Sequence, residues 1–150
     1  MNPGLGQTLA DHLPAVRDEW RQRLQNEPPE SALGRQYTVE FLIEATLTQL
    51  LSGVAAASAN DWLRHCQPLA GPVHSYCACG LPPVQRYFAA GEEALRCVLT
   101  PKAGAGVETI ITRLRELALH EVRSMCQPCP RVGTSVCMLG GCDRLKPGPA

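Results

Sequence analysis

The sequence predicts an all-α fold: about five helices in a bundle or globin-like arrangement, followed by a Cys/Pro/Gly-rich tail. Three observations lead there. Apolar residues recur at steps of three and four through most of the first 125 positions, the period of one helix face. No window alternates apolar and polar residues between turn signals, as a sheet would require. Breaker clusters divide the periodic stretches into lengths joined by short connections, as in helical bundles.

The first helix carries Leu9, Leu13, Val16, Trp20 and Leu24 on one face. Pro14 fits only a first turn, so the helix is expected to start near residue 11, with Asp11 or His12 near the cap. The run Asn26-Glu27-Pro28-Pro29-Glu30-Ser31 ends it. A long second helix follows from Thr38 as N-cap, with Val39, Leu42, Ile43, Leu47, Leu50, Leu51 and Val54 in one wide stripe. A stripe this wide suits a central helix packed on more than one side. Ser58 or Asn60 caps a shorter helix bearing Trp62, Leu63 and Cys66, which is expected to stop at Pro68.

Residues 69–83 read as a loop, and Pro82-Pro83 are placed to open the next helix. Val84, Tyr87, Phe88, Ala94, Leu95, Val98 and Leu99 form its apolar face, and the stretch from Pro101 to Gly106 breaks it. The last helix runs from about Val107 to Met125, with Ile110, Ile111, Leu114, Leu117, Ala118, Val122 and Met125 inward. The chain thus divides into a helical domain, 1–125, and a tail, 126–150. That tail holds four Cys, four Pro and four Gly. It has too few apolar residues to build its own core, so it needs a crosslink or stays loose.

Composition narrows the function. The 150 residues carry 14 basic and 14 acidic side chains, a net charge of +0, which removes the basic excess expected of a nucleic-acid binder. No apolar run approaches the ~20 residues that span a bilayer. The first residues lack the pattern of an export signal, so a cytoplasmic location is expected. In that reducing compartment eight cysteines point to metal ligation or redox chemistry more than to structural disulfides.

The main candidate site is Cys126-x2-Cys129-x7-Cys137-x4-Cys142. A Cys-x2-Cys pair puts two thiolates on one tight turn, the bite for a tetrahedral ion at ~2.3 Å per bond. Cys137 and Cys142 can complete it from the returning chain, and Gly133, Gly140 and Gly141 let the backbone pass close. Four thiolates suit zinc, which is favoured here, or an iron–sulfur cluster. A flexible Cys-containing tail or disulfides remain the plainer alternatives.

A second candidate is His65-Cys66 with His74, Cys77 and Cys79, the last two in a loop just before a helix N-terminus. There the helix dipole would lower a thiol pKa and favour metal binding or redox reactivity. The plainer reading makes Cys66 a core residue and the loop cysteines incidental. Loop and tail cysteines joined in one site form a third option. Cys97, in an apolar stretch, reads as a small core hydrophobe. Trp20, Trp62, Tyr87 and Phe88 read as packing. His120 reads as a surface residue, and Glu92, Glu93, Glu116 and Glu121 as solvated faces. No phosphate loop, His-Glu-x-x-His or catalytic triad pattern is present, so no catalytic residue is assigned.

The opening helix with Leu13, Val16 and Trp20, the long apolar helix from Val39, and the loop leading to a helix with Tyr87-Phe88 and Ala94-Leu95 resemble the N-terminal sensor domain of RsbT co-antagonist (RsbRD-type) proteins. The likeness spans about residues 8–123 and lies in hydrophobic layout, so it assigns no functional residue. It implies an all-α, globin-like module of bacterial stress or two-component signalling, usually dimeric. The Cys77-Ala78-Cys79 loop and the Cys-rich tail depart from that pattern.

The resulting expectation is a helical sensor or adaptor that binds a transition metal through Cys thiolates and acts on a protein partner, or on a second copy, without catalysis. The alternatives are an iron–sulfur or thiol redox protein, an enzyme using Cys77 or Cys79 as nucleophile, and a helical scaffold with incidental cysteines.

Overall fold

The computed structural model describes residues 3–27, 32–67, 69 and 81–126. Among them are six α-helices and no strand: α1 (Pro3–Asp11), α2 (Leu13–Arg23), α3 (Gln36–Ala55), α4 (Ala59–Arg64), α5 (Leu81–Ala103) and α6 (Val107–Cys126). One-turn 3-10 segments at Ala32–Gly34 and Gly104–Gly106 lead into α3 and α6. The all-α expectation therefore stands.

α2, α3, α5 and α6 close a ring in which each packs on two neighbours: α2 on α3 and α5, α6 on α3 and α5. Ion pairs give the directions. Arg21–Glu40 and Arg17–Glu44 step in opposite senses along α2 and α3. Arg86–Glu27 and Arg23–Glu93 do so along α2 and α5. Arg96–Glu108 and Arg115–Glu92 do so along α5 and α6. The body is thus two antiparallel hairpins, α2–α3 and α5–α6, laid together as a four-helix bundle. α1 packs on α3 and α5, and α4 lies against α3 and α6.

The predicted apolar faces make the core. Leu9, Val16, Trp20, Ile43, Leu50, Ala94, Leu95, Leu99, Ile110, Ile111 and Leu117 have no measurable exposure. The Trp20 indole N–H donates to the Tyr87 carbonyl at 3.0 Å, and its ring lies 4.8 Å from that of Tyr87. Two glycines make room for the tryptophans. A Cβ on Gly91 would lie 2.7 Å from Trp20 Cε2, and one on Gly53 would lie 2.5 Å from Trp62 Cε2.

Several boundaries differ from expectation. Pro14 does sit in the first turn of α2, with His12 as N-cap residue, but another helix precedes it. Pro14 cannot donate to the turn before it and so breaks the helix at His12. Leu5 and Leu9, four apart and both buried, are the signature of α1. α3 starts at Gln36 rather than after Thr38, and Arg35 at its N-cap makes no side-chain cap bond. Ser58 caps α4 as expected, its Oγ accepting from Asp61 N at 3.4 Å, but α4 ends at Arg64. α5 starts at Leu81, inside the expected loop, and Pro101 lies within it rather than ending it. One lost backbone bond in the last turn is tolerated. Gly104, with φ of +55°, makes the turn that ends α5.

Candidate functional site

The antiparallel pairing of α5 and α6 fixes what gathers at one end of the bundle. The facing pairs climb from Arg96–Glu108 through Glu92–Arg115 to Tyr87, which feels the charge of Glu121. One to two further turns bring Leu81, the start of α5, level with Cys126, the end of α6. The chain after α4 climbs the same way. Trp62 Nε1 donates to Gln49 O at 2.9 Å, and the Leu69 amide donates to Glu121 Oε2 at 2.8 Å. The described chain therefore stops at Leu69, resumes at Leu81 and stops again at Cys126. All three points lie at one end.

Glu121 is the polar centre of this end. It is 1% exposed, which overturns its reading as part of a solvated face. It falls four residues after Leu117 and seven after Leu114, squarely in the apolar stripe of α6. That spacing was visible in the sequence and is the signal for its burial. Beside it, Thr46 Oγ1 donates to Leu42 O at 2.7 Å, which leaves the Tyr87 hydroxyl to donate to Thr46 Oγ1 at 2.7 Å. Burial pushes the Tyr87 phenol well above its ordinary value of about 10, and the Glu121 charge pushes the same way.

Cys66 is half-buried at the same end, and its thiol donates to the Trp62 carbonyl at 3.5 Å. Burial, then the nearby Glu121 charge, raise its pKa. Both favour the thiol over the thiolate, the reverse of what a nucleophile needs. Cys97 is exposed, not in the core: its position on α5 faces away from the ring, beside Arg23. His65 is exposed. His120 lines a shallow groove of about 770 Å³ between α4 and α6, with Asp61, Arg64, Glu116, Leu119 and Arg123. Trp20, Trp62, Tyr87 and Phe88 are all buried packing residues, as expected.

Of the predicted metal ligands, Cys126 closes α6, while Cys129, Cys137 and Cys142 lie outside the described residues. So do His74, Cys77 and Cys79. Among the described residues no three His, Cys, Asp or Glu side chains gather as a metal ion would need. Among the same residues no helix is long and apolar enough to cross a membrane.

No protein-family model matches the chain, and no curated protein or solved structure matches it.

Proposed function

We propose that the chain is a helical adaptor that binds a transition metal, zinc by preference, through cysteine thiolates at one end of its bundle, and that it acts by contact with a protein partner. One observation supports this above the rest. Every cysteine except Cys97 lies at, within or just before the two segments that leave the described body at that end. Scattered, incidental cysteines would show no such bias. Cys126, Cys129, Cys137 and Cys142 are the proposed ligands, a set whose chemistry fits zinc. His74, Cys77 and Cys79 are the candidates for a second or shared site. The sensor role rests on the likeness in helix layout to the RsbT co-antagonist domains.

The mechanism is linkage. Thiolates lose their protons on binding, so the metal stabilises the fold of its own site and leaves with acid or chelator. Oxidation of the sulfurs has the same result. A partner that distinguishes the loaded from the empty end reads that difference. Elemental analysis and an absorption spectrum of anaerobically purified protein test the proposal. Stoichiometric zinc without visible colour, lost when the four tail cysteines become serine, is the expected result. Visible charge-transfer bands and bound iron would replace zinc by a cluster. Metal-free protein whose melting is unchanged by the four substitutions would leave a plain scaffold.

A further inference from the structure

We propose that Glu121 is a latch: its buried carboxylate grips the main chain at Leu69 and so sets where segment 70–80 leaves the body relative to the end of α6.

A carboxylate is almost never fully buried without polar partners, because its desolvation is costly. Glu121 nonetheless occupies a position where Leu114 and Leu117, on the same stripe, are apolar and fully covered. An aliphatic residue would serve the packing equally well. What the carboxylate adds is an acceptor for the Leu69 amide at 2.8 Å, across 52 positions of sequence. Leu69 lies beyond α4, outside any helix, and is itself buried at 6% exposure. Its N–H needs a partner that regular structure does not supply there. The bond ties the start of the segment holding His74, Cys77 and Cys79 to the helix that ends in Cys126. Cys66 on the α4 side and Tyr87 on α5 are held toward their protonated forms by burial first and by Glu121 second. The latch belongs to the helical body and holds whether or not a metal binds.

Amide exchange followed by NMR tests it. In the wild-type chain the Leu69 amide should exchange far more slowly than an unstructured amide. Glu121→Ala should speed Leu69 exchange at least about tenfold more than it speeds the core amide of Leu95. Leu117→Ala, a purely apolar loss on the same helix, should speed both together. Glu121→Gln keeps an acceptor oxygen but drops the charge, so Leu69 should stay protected. An unprotected wild-type Leu69, a Glu121→Ala variant that speeds Leu69 and Leu95 equally, or a Glu121→Gln variant in which Leu69 loses its protection would each overturn the latch. Should Glu121→Ala not fold, the wild-type and Glu121→Gln readings decide alone. Zinc content measured on the same samples addresses the proposed function separately, since none of these readouts requires metal.

Discussion

Replacing Gly91 with alanine sets two opposing energies against each other. Inside a helix, alanine is favoured over glycine by up to ~1 kcal/mol, because the unfolded chain loses less freedom on folding. At Gly91 the added methyl would lie 2.7 Å from Trp20 Cε2, far inside van der Waals contact. The indole cannot easily retreat. It is fully buried, packed at a tilt with its ring 4.8 Å from that of Tyr87, and held by its N–H on the Tyr87 carbonyl. Overpacking of this kind costs ~1–3 kcal/mol, and breaking the indole bond would add ~1 kcal/mol. The loss should outweigh the gain, for a net destabilisation of about 1–3 kcal/mol. Gly6 is the matched control, since a Cβ there meets nothing within 4 Å and the residue is likewise helical. Gly6→Ala should stabilise by a few tenths to ~1 kcal/mol. Denaturant midpoints read both, and thermal midpoints should move by about 2–4 °C per kcal/mol. A Gly91→Ala variant whose midpoint rises as that of Gly6→Ala does would refute the close seating of Trp20 on α5.

Tyr87 has a raised pKa in the fold, so the stability it supports is present below about pH 10 and declines as pH rises beyond. Tyr87→Phe should flatten that alkaline limb in equilibrium unfolding, while costing ~1 kcal/mol at neutral pH through the lost bond to Thr46. Glu92 behaves oppositely. Its hydrogen bonds from Arg115, one at 3.0 Å, hold its carboxyl below the ordinary range, against the effect of burial. Its contribution is present above about pH 4.5 and fades as pH falls through the lower folded value. Glu92→Gln should remove that acid-side slope and lower neutral-pH stability by the same amount, a modest one because Arg115 is 60% exposed and solvent screens the pair. Arg113 Nη2 donates to the Ala56 carbonyl at 3.2 Å, just past the end of α3, so Arg113→Ala should lower the unfolding free energy by ~1–2 kcal/mol in urea titration. If the tail binds zinc, a chelator should lower the melting temperature of the wild-type chain and leave the four-serine variant unmoved.

The helices were legible where apolar spacing is long and regular. Val39 to Val54 and Val107 to Val122 each carry enough turns for the period to stand out, and both helices appear with nearly the expected ends. α1 escaped because Leu5 and Leu9 are its only buried pair, and Gly4 and Gly6 dilute the pattern. Pro101 signals a break in the sequence, yet a proline in the last turn removes little. Cys97 shows the limit of composition: its apolar neighbours Leu95 and Leu99 point inward, but Cys97 is two residues from each and so faces outward. Glu121 shows the converse, a charged residue whose place in the stripe outweighs its type. Its partner Leu69 lies 52 residues away, and no local pattern announces a contact of that range. The pairing of chain exits at one end likewise came from topology, which single-helix periodicity does not encode.

The outward position of Cys97 has a practical corollary for anyone handling the protein. Chains left in air will couple surface thiol to surface thiol along the flank of α5, and a non-reducing gel will then display a doublet unrelated to the bundle end. Serine at that single position removes the crosslink along α5. Conversely, the native thiol offers a ready anchor for a dye or spin label, far along the rod from the sulfur-rich terminus it would be used to watch.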